Sequence, residues 1–149
     1  ICSKLLWEAQ CDYVHGTGHG VGYFLDVHEG PQSIAVAAVP QRHNGMKSGM
    51  LTSNERGFYR PGKWGIRIES LVINRPVENP EETEFGKFLY FETVTLGPID
   101  TRLIDTKLMT GSEIEWLNQY HAEVRRRLEP LTEGAAKAWL IERTEPLAR

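Results

Sequence analysis

Three side chains of this 149-residue chain are of types that could together hold a hard divalent cation. They are His19 in a glycine-rich run, Glu55 in Thr52-Ser-Asn-Glu-Arg-Gly57, and Glu69 at the end of Gly65-Ile-Arg-Ile-Glu69. One imidazole and two carboxylates make an oxygen-rich set, better matched to Mn(II), Co(II) or Fe(II) than to a thiolate zinc site. A domain of this size holds such residues by chance, so their spacing has to carry the argument. His15 and His19 are four apart, as in helical zinc motifs. Yet every second residue from Gly16 to Gly22 is glycine, and each glycine costs a helix about 1 kcal/mol relative to alanine. The run is therefore extended or looped, and four extended residues span about 13 Å. Both histidines cannot then ligate one ion: one of them is a ligand or neither is, and the other lines the pocket.

Arg67 and Glu69 are two apart on a segment that alternates with Ile66 and Ile68. On a strand they share a face, about 7 Å apart. One reading is a surface ion pair worth well under about 1 kcal/mol. The other is a buried carboxylate whose charge is held by a metal and the guanidinium; the apolar neighbours Ile66, Ile68, Leu71 and Val72 favour burial. His28, in Asp26-Val-His-Glu-Gly-Pro31, belongs at a loop tip. It is either a solvated loop residue or, beside a metal site, a group that binds a substrate carbonyl or moves a proton. His43 and His121 read as structural, His121 on the apolar face of a helix.

The elements that must position these residues follow from pattern. Residues Ile1 to Gln10 read as the end of an amphipathic helix. Between Gly45 and Val72 the pattern predicts short extended segments separated by turns: Gly49–Thr52, Arg60–Gly62 and Trp64–Glu69. Arg75 to Thr83 reads as an exposed loop, and Lys87 to Leu96 as a strand. Thr110 with Glu113 is a capping-box signature. Ile114, Leu117, His121, Val124 and Leu128 then recur at helical spacing, and a second helix is predicted over about Gly134 to Arg143. Strands first and two packing helices last define an α+β class.

Composition removes some function classes. With 17 Lys and Arg against 20 Asp and Glu, the formal charge of -3 gives no basis for a nucleic-acid or anionic-membrane partner. No apolar run is long enough to span a bilayer and no secretory signal pattern is present. Cys2 and Cys11 then read as reduced thiols of a cytoplasmic protein. The chain has no starting Met, and its first residues read as a helix already under way.

Four motifs in order carry a resemblance: His15-Gly-Thr-Gly-His-Gly-Val-Gly22, Val27-His-Glu-Gly-Pro31, Asn54-Glu-Arg-Gly-Phe-Tyr59 and Gly65-Ile-Arg-Ile-Glu69. Together they resemble the pita-bread metallopeptidases, and within them Xaa-Pro aminopeptidase (aminopeptidase P). Phe88 to Asp100, Trp116 to His121 and Ala138 to Ile141 resemble the C-terminal extension of the longer aminopeptidases P, which prolidase and methionine aminopeptidase are not expected to carry. The fold so implied is the C-terminal half of a pita-bread domain, a curved and mainly antiparallel sheet backed by helices. Residues 1–86 would be part of the catalytic domain and residues 87–149 the extension.

The resemblance implies that His19 is a metal ligand, that Glu55 is both ligand and acid/base group, and that Glu69 bridges two metal ions. His15 and His28 would contact substrate, and Arg67 would hold neighbouring carboxylates. The cofactor implied is a pair of divalent ions, Mn first, with Co, Fe or Zn as alternatives, activating water against the peptide bond before proline. The implied partners are a peptide with Pro in second position, the upstream half of the same protein, and a second copy in a homodimer. The family also uses two aspartates and a further histidine upstream of the glycine-rich motif, and Asp12 fits neither aspartate motif. The expectation is three ligands of five, weak metal binding, no peptidase activity from this chain alone, and apolar surface left for the other half-domain to cover. Rival readings are a prolidase-type dipeptidase, a metal-free creatinase-like amidinohydrolase, and a non-catalytic binding or dimerisation fragment. The long extension argues against the first, and the retained His19, Glu55 and Glu69 against the other two.

Overall fold

The computed structural model describes residues 3–24, 26–38, 41–78 and 84–148. They form two compact units, Ile1–Thr95 and Leu96–Arg149.

The first unit is built on one long hairpin. Strand β3, Leu51–Arg60, pairs antiparallel with β4, Trp64–Pro76, in unbroken register from Leu51–Ile73 to Arg60–Trp64. Between them Lys63 N–H donates to the Arg60 carbonyl, and Gly62 takes a φ of 71° that a residue with a Cβ would adopt only at a cost. Strand β5, Leu89–Thr93, pairs antiparallel with β4. This corrects the expectation of several short segments. Ser53 to Tyr59 contains few β-branched residues, but pairing with the aliphatic β4 holds it as strand. Part of the loop expected after Arg75, residues 79–83, lies outside the described residues, as does Cys2. Cys11 is a free thiol.

The glycine run lies along the other edge of β3. The short strand β1, Gly18–His19, pairs with β2, Ser33–Ile34, and Gly20 bridges Thr52. Glu55 N–H donates to the Thr17 carbonyl and Val21 N–H to the Leu51 carbonyl. The approach is close: a Cβ on Gly18 would stand 2.0 Å from the Ser53 carbonyl oxygen. Here glycine lets two backbones meet. A short helix, α1 (Lys4–Glu8), precedes the run.

The period of two sorts the sheet into two faces. Ser53, Glu55, Gly57 and Tyr59 share one face with their partners Leu71, Glu69, Arg67 and Gly65. The other face carries Phe58, Trp64, Ile66, Ile68, Leu89 and Phe91, of which Ile66 and Ile68 are 42% and 48% exposed. The expected burial of Arg67 and Glu69 is therefore not found, and both are exposed. Neighbours in a strand point to opposite faces, so Ile66 and Ile68 cannot desolvate Arg67 and Glu69.

The second unit begins with 3-10 turns at Thr101–Leu103 and Thr106–Leu108. Asp100 and Asp105 cap them by accepting from the N–H groups of Arg102 and Lys107. Helix α2, Gly111–Leu128, starts with the anticipated capping box: Glu113 N–H donates to Thr110 Oγ1, and Thr110 N–H donates to Glu113 Oε2 at 2.7 Å. That donation holds the Glu113 carboxyl below its usual range. Ile114, Leu117, His121 and Val124 form its buried stripe. Helix α3, Gly134–Arg143, contributes the buried Leu140. Thr110→Ala should lower stability by about 1 kcal/mol, the usual loss of an N-cap, measurable as an earlier denaturant midpoint. No helix among the described residues is long and apolar enough to cross a membrane.

Candidate metal centre and active site

His19 is oriented before any ligand arrives. Its backbone N–H donates to Ser53 Oγ at 3.0 Å, and its ring Nδ1 lies 2.9 Å from the Gly20 carbonyl. A carbonyl only accepts, so Nδ1 carries a proton and Nε2 is the nitrogen turned toward the cleft. Nε2 lies 3.0 Å from Glu55 Oε1.

Glu55 is buried, with its two oxygens in different surroundings. The wholly buried Ser53, already accepting from His19 N–H, donates its hydroxyl to Oε1 at 3.1 Å. Oε2 faces Arg67 Nη1 at 3.4 Å. Arg67 Nε–H in turn donates to the Tyr59 hydroxyl at 2.9 Å. That bond, more than the charges of Glu55 and Glu69, raises the guanidinium pKa above its ordinary value. The Tyr59 hydroxyl lies 2.9 Å from His15 Nε2, while His15 Nδ1 lies 2.7 Å from the Gly16 carbonyl. With a neutral His15 ring the chain runs one way: Arg67 donates to Tyr59, Tyr59 to His15, and His15 to Gly16. Both His15 nitrogens are engaged, leaving its ring face to contact a ligand.

His28 folds back from its loop so that its ring centroid lies 4.3 Å from that of His19. A cleft of about 430 Å³ is lined by His15, His19, His28, Ser33, Glu55, Arg67 and, from the glycine run, Gly16 and Gly18. The structure thus gathers five of the six candidate residues around one cleft. Glu69 is the exception: it stands opposite Glu55 in the strand register but is exposed and does not line the cleft. Among the described residues no three His, Cys, Asp or Glu side chains converge as a complete metal site.

Tyr59 and Ser53 were given no role from sequence. The signal was present, since counting by twos from Glu55 reaches both 53 and 59 on the same face. Tyr59 lies over the glycines of two strands: a Cβ on Gly57 would stand 2.1 Å from its hydroxyl, and one on Gly65 2.8 Å from its ring. Gly57→Ala should therefore expel the ring and break the Arg67–Tyr59–His15 chain. The expected readout is a shift of the His15 Nε2 resonance, in the same direction as in Tyr59→Phe.

Comparison with known proteins places the chain in a family. Residues 1–75 match the model of metallopeptidase family M24, and residues 87–147 match the C-terminal region of peptidase M24. The chain belongs to metallopeptidase family M24, and its α+β architecture is a pita-bread-type fragment. The relatives it matches include aminopeptidases P. A probable Xaa-Pro aminopeptidase P of Coprinopsis cinerea is 46% identical over 146 residues, covering 97% of this chain and 23% of that protein. Aminopeptidase P2 of Arabidopsis thaliana is 45% identical over 148 residues, covering 97% and 20%. The crystal structure of the X-prolyl aminopeptidase of Caenorhabditis elegans, described as a cytosolic enzyme with a di-nuclear active site, superposes with a TM-score of 0.83. It is 36% identical and covers 97% of this chain and 23% of that one. The chain thus spans less than a quarter of the length of these relatives.

Proposed function

We propose that this chain carries part of the catalytic machinery of a metal-dependent Xaa-Pro aminopeptidase, which removes the N-terminal residue from peptides with proline in second position. The observation that carries the reading is the meeting of His19 Nε2 and Glu55 Oε1 at 3.0 Å. A lone pair facing a carboxylate oxygen at that distance is repulsive unless a cation or a proton sits between them. The donors are an imidazole and a carboxylate, the chemistry of a Mn(II)-type ligand pair. His19, Glu55 and, from the neighbouring strand, Glu69 would hold the ions, with further ligands supplied by the upstream part of the parent protein. When bound, a pair of divalent ions polarises the scissile carbonyl and makes water nucleophilic near neutral pH.

The chain's own groups have separate tasks in this reading. The Glu55 carboxylate takes up the proton of the attacking water and returns it to the departing prolyl nitrogen. Ser53 and Arg67 hold that carboxylate from its two oxygens. His28, at the open side of the cleft, meets the substrate carbonyl and stabilises the charge that develops there. His15 packs its ring face against the substrate. The C. elegans relative, a cytosolic enzyme, supports a cytoplasmic location, and homodimerisation follows from the family resemblance alone.

Mn(II) titration followed by calorimetry tests the reading. In the chain joined to the upstream part of its parent protein, binding should be measurable and abolished by His19→Ala; a joined wild type that binds no better than the variant would remove the metal centre. The rival reading, a non-catalytic module, draws on the exposed position of Glu69, and this titration separates the two.

A further inference from the structure

The geometry points to His121 as a proton-operated latch that holds the Gly97–Leu103 segment on α2. Three α2 residues on one face, at i, i+3 and i+7, reach the main chain of neighbouring segments. The Asn118 amide pairs in both directions with Leu147, at 3.1 and 2.8 Å. Arg125 Nη2 donates to the Ile141 carbonyl at 2.6 Å. His121, with no exposed surface, accepts from Ile99 N–H through Nε2 at 3.1 Å.

The first two links do not depend on pH near neutrality; the third does. Accepting from Ile99 requires a lone pair on Nε2, so the ring must be neutral with its proton on Nδ1. Nδ1 is buried and finds no hydrogen-bond partner among the described residues. A second proton would turn Nε2 into a donor facing another donor, and would place a cation where water does not reach.

The surroundings do nothing to stabilise that cation. On α2 the charge acting on His121 is another cation, Arg125. Tyr120, whose ring centroid is 5.9 Å from that of His121, donates its hydroxyl to the Gly97 carbonyl. On the latched segment Asp100 gives its carboxylate to Arg102. From α3, Arg143 acts on Asp100 and Glu142 on Arg102.

The direction follows from linkage. Burial lowers the His121 pKa in the latched state, whereas a released, solvated ring titrates near about 6.5. Between those two values the released state binds a proton that the latched state does not. The latch is at full strength above about pH 6.5 and weakens about tenfold per pH unit below it, until the lowered latched-state value is reached.

Amide hydrogen exchange in the 149-residue chain tests this between pH 7.5 and 5.0, with rates corrected for intrinsic pH dependence. The protection of Ile99 should fall about tenfold per unit below pH 6.5, while Val124 in α2 changes less than twofold. In His121→Gln, whose side-chain carbonyl can accept from Ile99 without titrating, Ile99 protection should not vary with pH. A pH-independent wild type, a Gln variant that still follows pH, or Val124 falling in step with Ile99 would each overturn the latch. Ring NMR of the wild type is a second check that needs no variant. A His121 that titrates at or above 6.5, or carries its proton on Nε2, has the same contrary meaning.

Discussion

Glu55→Gln should lower peptidase activity of the assembled enzyme by at least about 100-fold, the lower end of what a general acid/base contributes. The substitution keeps the size and planarity of the side chain and removes its charge and basicity. In the chain as folded, Glu55 Oε1 accepts from Ser53 and faces His19 Nε2, and Oε2 faces Arg67. A glutamine can offer only one acceptor. It must either turn an amide N–H toward Arg67 Nη1, donor against donor, or turn it toward His19 and consume the lone pair a metal would need. Either orientation damages two functions at once, so proton transfer and metal affinity should fall together. Kinetics and Mn(II) titration on the same variant would show both. A glutamine variant with full activity would remove Glu55 from the chemistry.

Gly18→Ala should be among the most damaging single methyls in the first unit. The added Cβ would meet the Ser53 carbonyl oxygen at 2.0 Å and its carbon at 3.0 Å, and both belong to backbone in the middle of a paired strand. No rotamer change relieves that clash, so β1 must move away from β3. Overpacking of this kind costs about 1–3 kcal/mol and occasionally more, and a backbone obstacle belongs at the upper end. The displacement also carries His19 with it, since the His19 N–H to Ser53 Oγ bond spans the same gap. The expected result is a marked drop in denaturation midpoint together with loss of Mn(II) binding. An alanine variant of unchanged midpoint would mean that the two backbones are not in contact.

The parts of this structure that were legible in the sequence are those governed by local rules. Thr110 and Glu113 announced the start of α2, and Ile114, Leu117, His121 and Val124 its buried stripe, because caps and helical periodicity act within a few residues. The glycine run correctly excluded a helix, and the two histidine rings have different neighbours, Tyr59 for His15 and Glu55 for His19. What local rules miss is decided by pairing. Ser53 to Gly57 holds no β-branched or aromatic residue, and its place in the ten-residue register with β4 makes it a strand. The burial expected for Arg67 and Glu69 failed for a related reason: apolar neighbours in sequence are on the opposite face of a sheet. Tyr59 went unassigned because its role depends on two glycines from different strands, Gly57 and Gly65, lying beneath one ring. The wide apolar face formed by Trp64, Ile66, Ile68, Leu89 and Phe91 accords with the expectation of surface left for another segment to cover.

The measurement that bears most directly on the central claim is cleavage of an Xaa-Pro peptide by this chain joined to the upstream part of its parent protein, with and without Mn(II). The account predicts metal-dependent release of the N-terminal residue by the joined protein and none by its Glu55→Ala counterpart. A joined protein that binds no metal and releases nothing would contradict it and leave the chain a non-catalytic module of the same fold.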